Sequence, residues 1–180
     1  MLGVLPEWDL SDLYPGRDSP ALTQDLRRLA EDAEAFRRRY EGRLAELTGA
    51  EFGAAVAAYE RLQETSARII SFASLTHAGD PADPEIGRFF RTTQERINPI
   101  ATTLLFFTLE INKLDDAAVE AKSADPTLAR YRPWLRDIRV FLPHNEIETL
   151  LHEKSVAGRA AWVRLFDETM AALRFRFRSR

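Results

Sequence analysis

The chain has 180 residues, 45% of them hydrophobic and 29% charged, with a formal net charge of -3. That is enough apolar chain for one domain or one sizeable lobe of a larger protein, and it excludes intrinsic disorder. The acidic balance argues against a nucleic-acid binder, and no apolar run approaches the roughly 20 residues of a membrane span.

There is no cysteine, which excludes disulfides and thiolate metal sites and suits a reducing, cytoplasmic setting. Met1 to Leu10 is too short, and too soon acidic, for a signal peptide. Glycine is sparse and Ala, Leu, Arg and Glu dominate, so helix is favoured over sheet. The expected fold class is all-α. Long antiparallel amphipathic helices form a bundle-like lobe, with an extended N-terminal arm and a C-terminal β-strand. The expected divisions are an arm over 1–18, three long helices over 19–114, shorter helices and a last long helix of the same lobe over 115–173, and a truncated strand over 174–180.

In chain order, Trp8 to Gly16 is turn-rich, and Trp8 and Leu13 are expected to pin the arm to the body. Ser19-Pro20 is a helix start, a capping hydroxyl followed by proline at the first helical position. The stripe Leu22, Leu26, Leu29, Ala33, Phe36, Tyr40, Leu44 and Leu47 then reads as one helix. Thr48 and Glu51 have capping-box spacing and open a second helix, which ends near Gly79 before the Asp80–Pro84 turn. A third helix, from about Pro84 to Leu114, is apolar on most sides and therefore central, with a kink expected at Pro99.

A short element covers about 115–123, and Asp125-Pro126 starts another. Tyr131, Trp134, Leu135, Ile138 and Phe141 are spaced for an amphipathic helix that stops at Pro143. The last helix is expected from Asn145, with Glu148 as its capping-box partner, to about Leu173. Arg174 to Arg180 alternates Arg and Phe with period two, which reads as a strand with one apolar face. Such an edge needs pairing, by self-association or by a segment of a longer chain.

The chemistry-bearing residues do not assemble into a catalytic motif. His152-Glu153-Lys154-Ser155-Val156 begins like the zinc-peptidase H-E-x-x-H but has Val156 where the second imidazole is required. His144, Glu148 and His152 are four apart, but Asn145 reads as a cap that puts His144 outside the helix. No metal, cofactor or catalytic residue is therefore assigned. His77, at the end of the second helix, reads as a group favoured by the helix dipole. No Glu-x-x-His is present, against a ferritin-like di-metal bundle. A glycine-rich phosphate loop and a G-x-S-x-G elbow are absent too. Arg37-Arg38-Arg39 sits among acids on a solvated face, and Phe106 and Phe107 read as core.

Several stretches, taken in order, resemble the N-terminal region of the oligoendopeptidase F family. They are Trp8 to Pro15, Leu75 to Asp80 with Asp83-Pro84, Leu105 to Glu110, Leu128 to Leu135, Phe141 to His144 with Glu146 and Glu148, and, most specific, Gly158 to Thr169. The loop after Asn145 is shorter than the family's, and the family's metal-binding helix comes well after the matching region. The resemblance implies a cytoplasmic zinc metalloendopeptidase that cuts short peptides in a deep channel. This chain would be the non-catalytic wall that limits substrate size. Its partners would be the catalytic lobe and, for the whole enzyme, oligopeptides, with zinc held by the parent and not by these residues. The alternative from the residues alone is a stand-alone helical module that binds other proteins or itself.

Overall fold

The computed structural model describes residues 8–141, 154 and 158–174. Helix α1 (Pro20–Tyr40) starts where the sequence places it. The Ser19 hydroxyl accepts the backbone N–H of Leu22, with Pro20 at the first helical position. The helix does not reach Leu47, as its apolar stripe suggests. It stops at Tyr40, because Gly42 takes φ +75, a left-handed conformation that glycine adopts without a Cβ clash. Leu44 is still buried, so the stripe continues its packing through turns rather than through helix.

Helix α2 (Gly49–Gly79) opens on the expected capping box. Thr48 Oγ1 accepts the Glu51 N–H at 3.3 Å, and the Glu51 carboxylate accepts the Thr48 N–H at 2.9 Å. The Thr48 N–H, and then the Thr48 hydroxyl, donate to the Glu51 carboxylate and hold that carboxyl below its usual range. Helix α3 (Pro84–Lys113) is capped by Asp83, whose Oδ1 accepts the Glu85 N–H at 2.7 Å, and it remains helical on both sides of Pro99. Helix α4 (Asp116–Ser123) is capped by Asp115. A 3₁₀ turn (Pro126–Tyr131), capped by Asp125, leads into α5 (Arg132–Phe141).

Helices α1, α2 and α3 each pack against the other two, the 3₁₀ turn and α4 rest on α2, and α5 lies against α3. The central position expected for α3 is borne out. Its Ile97, Ile100, Leu104, Phe107 and Ile111 are buried. Phe107, fully buried, sits 4.8 Å from the ring of Tyr59 and 5.1 Å from that of Phe36. Burying such a side chain contributes about 2–3 kcal/mol. Phe106 joins the same cluster at 5.8 Å from Phe36, so both phenylalanines serve packing.

Gly53 explains how closely α2 meets the 3₁₀ turn. A Cβ at this position would stand 2.1 Å from Thr127 Oγ1, so only glycine allows that approach.

The arm departs from expectation at Trp8, which is 74% exposed. Tyr14, not Trp8, pins it. The Tyr14 ring is buried edge-on against Phe72 at 5.4 Å, and its hydroxyl donates to Asp25 at 2.8 Å. Leu13 contributes a partly buried contact, as expected.

The last described helix, α6 (Arg159–Ala172), corrects the long terminal helix. Gly158 precedes it with φ -94 and ψ -114, which is not helical, so the segment starts afresh there. The expected start at Asn145 lies outside the described residues. Of the expected strand over 174–180, only Arg174 is described and it is not in a strand. No strand occurs among the described residues, so the observed class is all-helical.

Candidate functional site

A concavity lies where α6 faces the end of α2 and the start of α3. It has a volume of about 760 Å³. Ser74, His77 and Ala78 come from α2, Phe90 and Gln94 from α3, and Val163, Arg164, Asp167 and Met170 from α6. The two helices of the floor meet there because Asp80–Asp83 turns the chain sharply and Asp83 restarts it as α3.

His77 occupies the last turn of α2, as the sequence suggests. It is buried and stacked on Phe90, with ring centroids 5.0 Å apart and planes 21° from parallel. Its Nε2 is buried without a hydrogen-bond partner among the described residues. Nothing in the α2 periodicity announced the stack, because Phe90 belongs to the next helix.

Helix α6 presents apolar side chains on two sides. Val163 and Met170 line the cleft and are themselves about half exposed, and Trp162, Leu165, Phe166 and Leu173 are 44–71% exposed. Trp162, Phe166 and Leu173 follow at steps of four and seven, which places them on one stripe. An apolar cluster of this kind on the surface of a chain marks a contact surface more often than a solvated one.

Two polar clusters are structural ties. Arg68 donates to both Tyr14 Oη, at 3.1 Å, and Asp25. Burial first, and then the hydrogen bond to Asp25, pushes the Tyr14 phenol up to about 12, so it is neutral at ordinary pH and offers neither a base nor a nucleophile. Across the fold, Glu60 accepts from Tyr131 Oη at 2.7 Å and from Arg130, which fastens the 3₁₀ turn to α2. The Arg37-Arg38-Arg39 run is exposed throughout, as expected. Arg37 reaches Glu34 and Glu41, and Arg39 lies over the Tyr40 ring.

No group of three or more His, Cys, Asp or Glu side chains among the described residues could hold a metal ion. The triplet His144, Glu148 and His152 lies outside the described residues, as do most of His152–Val156; Lys154 is helical and exposed. The described residues thus do not fit a zinc centre, and no chemical step through zinc belongs to them. No helix among them is long and apolar enough to cross a membrane.

The segment that carries α6 is the part of the chain that a family model matches. Residues 110–175 match the family model described as Oligopeptidase F. The oligopeptidase F match runs from the last turn of α3 through α4, the 3₁₀ turn and α5 to the end of α6. The resemblance to the N-terminal region of this peptidase group is borne out over that span. It includes the stretches Leu128–Leu135 and Gly158–Thr169 and leaves out Trp8–Pro15 and Leu75–Pro84. No curated protein and no solved structure matches the chain.

Proposed function

We propose that this chain is the N-terminal, non-catalytic lobe of an oligopeptidase F-type metalloendopeptidase that hydrolyses short peptides. The observation that carries the reading is the family match over residues 110–175. The exposed apolar stripe of α6, inside that match, supports it, since a helix apolar on two sides suits the middle of a larger assembly.

On this reading the lobe supplies shape and the rest of the enzyme supplies chemistry. The α1–α3 bundle packs its central aromatic residues in one core, and a packed wall of that kind would exclude folded proteins from a channel. Zinc belongs to the remainder of the parent enzyme, and oligopeptides are its substrates. The setting is the cytoplasm.

The test compares the 180-residue chain with a longer product that includes the downstream coding sequence. Quenched fluorescent peptides of graded length are offered to each, with and without a chelator. The expected result is chelator-sensitive cleavage of short peptides by the longer product only, falling off as the peptide lengthens. Chelator-sensitive cleavage by the 180-residue chain alone overturns the reading.

A further inference from the structure

On the outer side of the α1–α2 pair runs a groove of about 440 Å³ with an uneven charge pattern. Asp25, Arg28, Asp32 and Arg39 line it from α1, and Arg61 and Arg68 from α2. Asp25 and Arg68 neutralise one another. Three arginines and one aspartate remain, a surplus of positive charge on a chain whose net charge is -3.

Two arginines of α1 outside the groove, Arg27 and Arg37, have carboxylate partners, and Arg38, also outside it, has none within ion-pair distance among the described residues. Arg27 reaches Glu31 at 3.9 Å, and Arg37 reaches Glu41 at 3.2 Å. Arg28, Arg39 and Arg61 have none within ion-pair distance among the described residues. Arg28, Arg39 and Arg61 thus converge on the groove with no ion pair of their own, outnumbering the one remaining carboxylate, Asp32. Guanidinium groups recognise carboxylates with two parallel hydrogen bonds, which gives geometry as well as attraction.

The spacing narrows the ligand. Arg28 and Arg39 are eleven residues apart on α1, which at the helical rise is about 17 Å. An extended chain covers that distance in about five residues. Between them the groove is lined by Ala35 and Ala58, small side chains that leave room for a backbone to lie down. A nucleic acid fits less well. Its charges would extend beyond the groove over a chain whose net charge repels them, and no exposed aromatic lines the groove for a base to stack on.

We infer that the α1–α2 groove binds an extended acidic peptide segment whose carboxylates, about five residues apart, engage Arg28 and Arg39, with Arg61 on the facing wall. The inference goes beyond the proposed function and does not rest on it, because the groove lies wholly in residues outside the family match.

The test is fluorescence anisotropy of the 180-residue chain with a blocked, labelled peptide carrying two glutamates at that spacing. The comparison probes are the lysine counterpart, a peptide with the two glutamates adjacent, and a single-stranded oligonucleotide. Expected is binding of the spaced glutamate peptide that weakens with salt and falls roughly 5-fold in each of Arg39→Gln and Arg61→Gln. Arg27→Gln, outside the groove, leaves it unchanged. Circular dichroism confirms that all three variants remain helical. The inference is overturned if the spaced peptide fails to bind, if the adjacent-glutamate peptide binds equally, if Arg27→Gln loses as much as the groove variants, or if the oligonucleotide binds more tightly than the peptide.

Discussion

The backbone N–H of Gly42 donates to the carboxylate of Glu110 at 2.7 Å, joining the turn after α1 to the last turn of α3 across 68 residues of sequence. Gly42 holds φ +75 at this point, so two requirements coincide in one residue, a left-handed turn and an unobstructed N–H. Gly42→Ala is expected to cost about 1 kcal/mol through backbone strain alone. Glu110→Ala should cost a comparable amount, about 1 kcal/mol, by leaving the Gly42 N–H to water. Urea unfolding checks both, with a lower midpoint and an unchanged slope as the expected result. A Gly42→Ala chain as stable as the parent would show that the turn does not need the glycine.

Gly53 gives a prediction whose sign decides the issue. In an exposed helix interior, alanine is favoured over glycine by about 1 kcal/mol. Here the added Cβ would stand 2.1 Å from Thr127 Oγ1 and 2.9 Å from Thr127 Cβ, so α2 and the 3₁₀ turn would have to separate. Gly53→Ala is expected to destabilise by about 1–3 kcal/mol. Adding Thr127→Ala should recover part of the loss, because it removes the nearer atom. Thermal melts of the two single variants and the double variant read this directly, and a stabilised Gly53→Ala would refute the close contact.

Tyr14 makes stability depend on alkaline pH. Its phenol is pushed up to about 12 in the folded chain, chiefly by burial and then by Asp25, against 10.0 in the unfolded one. The folded state therefore holds its proton more tightly. The corresponding stability is fully present below pH 10 and is lost as pH rises from there toward 12. Tyr14→Phe should lack this component, and it should be about 1 kcal/mol less stable at neutral pH through the lost contacts to Asp25 and Arg68. The difference between parent and variant stabilities, measured by urea unfolding at neutral pH and again above pH 10, is expected to shrink at the higher pH.

Much of this lobe was legible in local sequence because its helix starts are signalled by residues that act on their own turn. Ser19, Thr48, Asp83 and Asp115 each cap from the position where a hydroxyl or carboxylate meets free backbone N–H groups. The end of α1 is hidden in the sequence although Gly42 carries the signal, because Leu44 and Leu47 continue the apolar spacing past the break. The break at Gly158 is hidden for the same reason. The anchoring role expected of Trp8 falls to Tyr14, since neither composition nor spacing tells which aromatic of a short arm meets Phe72. The His77–Phe90 stack and the α1–α2 groove require two helices to be placed together, and one helical period at a time cannot show either.

The exposed stripe of α6 supports the last prediction. Trp162 is 71% exposed and Phe166 is 63% exposed, and neither joins the central core. Removing them should therefore cost the lobe almost nothing, within about 0.5 kcal/mol, as for surface positions in general. Trp162→Ser with Phe166→Ser should instead reduce dye binding to exposed apolar surface and reduce any self-association seen by light scattering. Within the longer product of the proposed peptidase, the same pair should weaken the attachment of the lobe and lower thermal stability. Val163 and Met170, on the cleft side of the same helix, provide the contrast. If Val163→Ser with Met170→Ser weakens the 180-residue chain while the Trp162 and Phe166 pair does not, α6 uses its two faces for different partners. A loss of several kcal/mol from the Trp162 and Phe166 pair in the 180-residue chain would mean that this stripe is already part of the core.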